Sequence, residues 1–120
     1  MNILIVDDSK AMRSLVTRAV KAAGFADATY REAGNGVEAL TAIRALTPDL
    51  VLTDWNMPEM SGFELIQAVR AEGHTFKIGM VTSESHPELR EQALQAGALF
   101  LLCKPFTPDA VKAVLQPVLP

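Results

Sequence analysis

Residues 1–10 read MNILIVDDSK, a short apolar run that meets two adjacent carboxylates and a hydroxyl. Ile3–Val6 is branched and apolar, which predicts a strand that is buried on both faces. Asp7 and Asp8 follow at once, and neighbouring carboxylates repel each other more strongly as the dielectric constant falls. We therefore expect a positive group to share the site that forms where this strand ends.

Strand-like and helix-like segments alternate along the rest of the chain. The further predicted strands are Ala28–Ala33, Asp49–Thr53, Phe76–Val81 and Leu99–Cys103, the first of them polar enough for a sheet edge. The first predicted helix starts after a cap at Ser9, and the second starts at Asn35-Gly36 and stops at Pro48. The third covers Phe63–Ala71, the fourth covers Pro87–Ala96, and the last runs from Pro108 to about Gln116. This alternation predicts an α/β fold, a doubly wound five-stranded parallel sheet with helices on both faces.

The spacing of apolar residues predicts which side of each early helix faces the core. Positions i, i+3, i+4 and i+7 share one helical face. In the first helix the inward residues are predicted to be Met12, Leu15, Val16, Ala19, Val20 and Ala23. In the second they are predicted to be Val37, Leu40, Ile43 and Leu46.

Length and composition limit the classes of protein that this chain can represent. Its 120 residues suit one domain, 1–120, with 49% apolar and 21% charged residues. A net charge of -3 argues against nucleic-acid or anionic-membrane partners, and no apolar run approaches the roughly 20 residues of a membrane span. Residues 1–6 are too short for a signal-peptide core. The single Cys103 has no partner for a disulfide. We expect a cytoplasmic protein.

Polar side chains follow four of the predicted strands at their carboxyl ends, where open parallel sheets bind ligands. They are Asp7 and Asp8 after the first strand, Asp54 after the third, Thr82 and Ser83 after the fourth, and Lys104 after the fifth. Three carboxylates without a His or Cys beside them make a hard-oxygen site, and Mg²⁺ prefers such ligands. The sequence therefore predicts a magnesium site at this edge of the sheet.

The same group of side chains is suited to phosphoryl transfer. A carboxylate can attack phosphorus and form an aspartyl phosphate, and Asp54 is the candidate nucleophile. Mg²⁺ and Lys104 would neutralise charge on the transferring group. Thr82 and Ser83 have hydroxyls that can donate hydrogen bonds to its oxygens.

Four stretches together resemble the receiver domain of two-component response regulators: LIVDDSKAMR, LTDWNMPEMSG, MVTSE and AGALFLLCKPF. The likeness covers essentially the whole chain, and within the family it is greatest to stand-alone chemotaxis regulators. It implies a flavodoxin-like sheet with strand order 2-1-3-4-5. It also implies a histidine kinase or histidine phosphotransfer partner. A downstream protein would bind the face formed by helix 4, strand 5 and helix 5.

The resemblance assigns a role to each candidate residue. It implies Asp54 as phosphoacceptor, Lys104 as the lysine that pairs with the phosphoryl group, and Thr82 as the switch hydroxyl. Asp7, Asp8, Asp54 and the backbone carbonyl of Asn56 would bind Mg²⁺. Asn56 and Glu84 would flank the attacking water and set the lifetime of the phosphorylated state. A cis Lys104–Pro105 bond is also expected.

The chain departs from the receiver pattern at the switch aromatic, which usually stands three residues before the lysine. That position holds Leu101, and Phe100 comes one residue early. A one-residue shift on a strand turns a side chain to the opposite face. Two readings stay open beside a phosphorylation switch: a phosphate sink with little conformational output, and a pseudo-receiver that binds partners without phosphorylation.

Other functional classes fit the residues less well. A phosphohydrolase with an aspartyl-phosphate intermediate would need a second acid two residues after Asp54, where Asn56 stands, and a substrate cap. A flavin carrier would need a hydroxyl- and glycine-rich phosphate loop, and the acidic DDSK stretch would repel the flavin phosphate. We therefore expect no turnover of a small molecule.

The polar side of the first helix carries four basic residues: Lys10, Arg13, Arg18 and Lys21. They are either a solvated face or a docking surface for an acidic partner.

Overall fold

The structure, a computed structural model, describes residues 1–83 and 86–119. The structure contains the strands β1 (Asn2–Val6), β2 (Thr29–Ala33), β3 (Leu50–Asp54), β4 (Lys77–Thr82) and β5 (Phe100–Cys103). These strands form one parallel sheet in the order β2-β1-β3-β4-β5. The helices are α1 (Lys10–Val20), α2 (Gly36–Ala45), α3 (Gly62–Ala71), α4 (Pro87–Ala96) and α5 (Pro108–Leu115), and a π-helical turn over Lys21–Phe25 extends α1. The predicted fold, strand order and edge position of β2 are confirmed.

Two apolar layers cover the two faces of the sheet. One layer packs α2, α3 and α4 against residues such as Leu4 and Val51. The other packs α1 and α5 against residues such as Ile3 and Leu52. Because successive strand residues point to opposite faces, the central strands β1 and β3 supply both layers, which accounts for their continuous apolar runs.

Three predictions of inward-facing residues were wrong. Leu15 is 52% exposed, Val37 46% and Leu46 56%. In α1 the buried stripe is centred on Val16 and Val20, so Leu15 falls at its border. In α2 the small residues Gly36 and Ala39 are buried with Leu40 and Ile43, which turns Val37 outward, and Leu46 lies beyond the end of the helix.

Side-chain caps fix where the helices begin, next to the carboxyl ends of the strands. Ser9 accepts a hydrogen bond from the Met12 N–H, as predicted, at 3.2 Å. Ser61 forms a reciprocal capping box with Glu64, and Thr107 caps α5 ahead of Pro108. These caps hold the loops after β1, β3 and β5 in defined positions, and those loops carry the candidate functional residues.

Candidate functional site

Three aspartates from two adjacent strands meet at the carboxyl edge of the sheet. Asp7 and Asp8 follow β1, and Asp54 ends β3. One carboxylate oxygen of each lies within 4.8 Å of the others. Asp7 is 3% exposed, whereas Asp8 is exposed. Within residues 1–83 and 86–119 this is the one group of three potential metal-ligating side chains that approach so closely.

Lys104 is the positive group that the doubled carboxylate predicts. Its Nζ lies 3.3 Å from Asp7 Oδ2 and 3.4 Å from Asp54 Oδ1, and its side chain is only 16% exposed. The Lys104 N–H donates to the carbonyl oxygen of Thr82 at 2.7 Å, which ties the end of β5 to the end of β4. The predicted cis Lys104–Pro105 bond is confirmed. The ammonium group thus bridges the carboxylates that end β1 and β3.

The environment of Asp54 raises its pKa above the usual range for an aspartate. Burial is the largest cause, because removal from water disfavours the charged form, and the Asp7 carboxylate acts in the same direction. Lys104 opposes both, as does the Trp55 N–H, which donates to Asp54 Oδ1 at 2.9 Å. One ammonium group therefore does not fully offset the buried negative charge, and a further cation would stabilise this site.

The chemistry of the donor set fits Mg²⁺. Three carboxylates supply hard oxygen ligands, and the exposed Asp8 leaves one side of the cluster open to water and to a phosphoryl group. Hydrogen bonds to neighbouring backbone groups hold Asp7 in place. Its N–H donates to the Ala33 carbonyl at 3.1 Å, and its Oδ1 accepts from the Ser9 N–H at 2.9 Å.

The remaining predicted residues lie around this cluster. Thr82 ends β4 and is buried, Ser83 follows it and is exposed, and Asn56 is exposed in the loop after β3. Glu84 lies outside the described residues. The structure therefore brings Asp7, Asp8, Asp54 and Lys104 into one cluster, whereas the roles predicted for Thr82, Ser83, Asn56 and Glu84 stay predictions.

Phe100 and Leu101 face opposite layers, as the strand alternation predicts. Phe100 belongs to the layer with α1 and α5 and is 7% exposed, whereas Leu101 packs against the layer with α2, α3 and α4. The Phe100 ring lies over Gly79, where an added Cβ would be 2.1 Å from Cζ of the ring. The one aromatic of β5 is therefore a core residue on the face opposite to position 101.

Sequence reasoning missed two residues that hold the cluster in place. Gly62 donates its N–H to the Trp55 carbonyl at 2.8 Å, and a Cβ there would lie 2.1 Å from the Asp54 carbonyl oxygen. Arg13, taken only as part of a basic face, donates to the Asp7 carbonyl. Neither contact was visible in the sequence, because both are made to backbone carbonyls and depend on how the chain folds back after β1 and β3.

A groove borders the cluster on the side of α1 and encloses about 680 Å³. Its lining is mainly apolar and comprises Met12, Leu15, Arg18, Ala19, Ala22, Ser83, Lys104, Pro105, Phe106 and Pro108. The exposed Leu15 and the ammonium-bearing Lys104 share this lining, so a partner seated in the groove would reach the cluster.

No helix in the described residues has both the length and the apolar character that crossing a membrane requires.

The comparisons with known proteins agree on one family. The family model for the response regulator receiver domain matches residues 3–116. Chemotaxis protein CheY1 of Helicobacter pylori is 40% identical over 99% of this chain and 97% of its own length. Chemotaxis protein CheY of Pseudomonas aeruginosa is 36% identical over 98% and 95%. The crystal structure of Vibrio cholerae CheY4 matches with a TM-score of 0.86 and 36% identity, covering 98% of both chains. The chain therefore belongs to the response regulator receiver family, the phosphorylation-controlled signalling domains of two-component systems.

Proposed function

We propose that this chain is a single receiver domain, 1–120, that accepts a phosphoryl group on Asp54 from a phosphohistidine of a histidine kinase or histidine phosphotransfer protein. The observation that carries the proposal is the position of Lys104 Nζ, within 3.4 Å of both the Asp7 and the Asp54 carboxylates. Mg²⁺ would be held by Asp7, Asp8, Asp54 and the backbone carbonyl of Asn56. Binding Mg²⁺ at an acidic pocket is general for this family.

Transfer to Asp54 would be a nucleophilic displacement at phosphorus. An Asp54 carboxylate oxygen attacks the phosphorus, the phosphorus–nitrogen bond to the partner's imidazole breaks, and the electron pair stays on that nitrogen. Bound Mg²⁺ would supply positive charge to the phosphoryl oxygens. Lys104 is close enough to Asp54 to pair with the phosphoryl group, and the hydroxyls of Thr82 and Ser83 would donate hydrogen bonds to it. Asn56 and Glu84 would flank the water that later removes it.

The groove beside α1 supports docking of the phosphohistidine partner there. Leu15 is 52% exposed on a helix whose other large apolar residues turn inward, and Arg18 lies beside it for an acidic contact. A partner helix placed against this groove would bring its histidine toward Lys104 and Asp54. In this proposal the basic face of α1 is a docking surface for an acidic partner.

The output in this proposal is protein–protein binding through the face of α4, β5 and α5, in a cytoplasmic chemotaxis pathway. Sequence identity of 36–40% to chemotaxis proteins over nearly the full chain supports that pathway. Phosphorylation would add charge at Asp54 and bias a two-state element near α4, β5 and α5. The domain would catalyse only its own phosphorylation and dephosphorylation.

One observation favours a second candidate, a phosphate sink. The β5 aromatic is buried over Gly79 on the α5 side, and position 101 carries an aliphatic side chain. A sink would accept the phosphoryl group on Asp54 without a change at the α4–β5–α5 face. Both candidates would therefore be phosphorylated at Asp54, and they differ in whether phosphorylation changes the α4–β5–α5 face.

Trp55 fluorescence tests the proposed chemistry, because its N–H donates directly to Asp54 Oδ1. We expect a saturable change with Mg²⁺ and a second change when beryllofluoride, a phosphoryl mimic, is added. Asp54→Asn is the control and should abolish the second change. A folded protein that responds to neither would exclude the phosphorylation mechanism and favour the pseudo-receiver.

Hydrogen exchange at the α4–β5–α5 face separates the switch from the sink. A switch predicts that beryllofluoride alters amide protection there, whereas a sink predicts changes confined to the loops that carry Asp54 and Lys104.

A further inference from the structure

Arg13 joins three parts of the molecule at the base of the acidic cluster. Its Nη1 donates to the Asp7 carbonyl oxygen at 2.7 Å, and its Nε donates to Glu32 Oε1 on β2 at 2.8 Å. The guanidinium side chain is 16% exposed, while Glu32 is 50% exposed. An arginine side chain held by two partners on different elements has few alternative positions, because its fork of donors is rigid.

The carbonyl that Arg13 holds belongs to the peptide between Asp7 and Asp8. That peptide is planar, so a hydrogen bond to its oxygen also fixes the direction in which the chain leaves Asp7 and enters Asp8. The other hydrogen bonds at this turn fix Asp7 itself, through Ala33 and Ser9. Arg13 is therefore the contact that sets how the second carboxylate is presented relative to the first.

The charge of Arg13 alone would act against a metal ion at the cluster. A guanidinium group repels a nearby divalent cation, so removal of the charge by itself would tighten Mg²⁺ binding. Glu32 at 2.8 Å offsets that charge locally. Removing Arg13 therefore has two opposing effects on Mg²⁺ affinity. Loss of its hydrogen bond to the Asp7 carbonyl weakens binding, whereas loss of its positive charge strengthens it.

We propose that Arg13, oriented by Glu32, is a positioning residue for the Mg²⁺ ligands Asp7 and Asp8, acting through the peptide that joins them. This inference rests on the proposed function, which places Mg²⁺ there. Residues that orient metal ligands from outside the coordination sphere commonly change affinity by about 10- to 100-fold when removed.

The test compares Mg²⁺ affinity, by isothermal titration, for wild type, Arg13→Met and Arg44→Met. Arg44 is the matched control, because it also forms an Arg–Glu pair, with Glu72 at 2.6 Å, and that pair joins α2 to the residue that follows α3. We expect Arg13→Met to weaken Mg²⁺ binding about tenfold. Arg44→Met should leave it within about twofold, because surface substitutions away from a site have small effects. Urea unfolding in EDTA measures any loss of stability separately.

Arg13→Lys keeps the charge and can donate to one partner, so we expect an affinity between those of wild type and Arg13→Met. Mg²⁺ binding by Arg13→Met that equals or exceeds that of wild type would overturn the inference. If Arg13→Met does not fold, Arg13→Lys decides in its place, and affinity equal to wild type overturns the inference. If wild type binds no Mg²⁺, both the proposed function and this inference are wrong. If wild type binds Mg²⁺ and Arg13→Met binds it equally well, only the inference about Arg13 is wrong.

Discussion

Gly62→Ala tests whether the backbone at the phosphoacceptor is packed as tightly as the structure indicates. The added Cβ would lie 2.1 Å from the Asp54 carbonyl oxygen, 3.0 Å from its carbon and 3.2 Å from Met80 Cε. Ordinary carbon contacts begin near ~3.5 Å, so the overlap with the oxygen exceeds ~1 Å. A carbonyl cannot rotate away as a side chain can. The loop after β3 must therefore shift as a unit.

The size of the effect follows from two opposing contributions. Overpacking against a rigid neighbour costs about 1–3 kcal/mol. Alanine at the first residue of α3 recovers less than about 1 kcal/mol of helix propensity. We therefore expect the free energy of unfolding to fall by about 1–2 kcal/mol. Because the clash displaces Asp54 itself, Mg²⁺ affinity should fall as well.

Gly36→Ala is the matched control for this substitution. Gly36 is also the first residue of its helix after a side-chain cap, so the gain in propensity is the same. Its added Cβ would lie 2.6 Å from Met60 Cγ and 2.7 Å from Met60 Cβ, so it also overpacks the loop after β3 but does not meet the Asp54 carbonyl. Urea denaturation and Mg²⁺ titration of both variants are the assays. A Gly62→Ala protein that keeps the stability of wild type, or that binds Mg²⁺ as tightly as Gly36→Ala does, would refute the packing argument.

Three further predictions concern charge, docking and the core. Burial raises the pKa of Asp54, so the folded state holds that proton more tightly than the unfolded chain, and metal-free stability falls as pH rises through the raised pKa. Asp54→Asn should then be more stable than wild type at neutral pH in EDTA and similar in acid, by urea denaturation at each pH. Leu15→Asp should slow phosphotransfer from a partner protein at least about tenfold while the beryllofluoride response of Trp55 persists; an unchanged transfer rate would contradict docking in the groove. Gly79→Ala should cost about 1–3 kcal/mol because its Cβ meets the Phe100 ring, and Phe100→Leu in the same chain should recover part of that loss in a double-mutant cycle; additive losses would contradict it.

The strand ends could be predicted from the sequence because each apolar run is followed directly by a polar residue. Asp7, Asp54, Thr82 and Lys104 follow or end their strands, and the topology of a parallel sheet places such ends together. The opposite facing of Phe100 and Leu101 was equally predictable, since it depends only on strand alternation.

The wrong predictions and the missed residues share a physical cause. Leu15 and Val37 both fit the helical spacing of apolar residues. That spacing identifies the apolar face of a helix, but the elements packed against the helix decide which residues at the edge of that face are buried. Gly62 and Arg13 each donate to a backbone carbonyl a few residues earlier in the chain, across the loop that follows a strand. No side-chain pattern records such contacts, so only the folded chain shows them.

The packing of Phe100 over Gly79 gives this aromatic a structural role that its place in the sequence does not reveal. By sequence position alone, Phe100 stands one residue before the place of the usual switch aromatic. In three dimensions its ring fills the volume that a side chain at position 79 would otherwise occupy. Phe100 is thus the large member of a small–large pair that spans two strands, and position 101 is a separate site on the other face. An aromatic could be introduced at 101 in evolution without disturbing that pair.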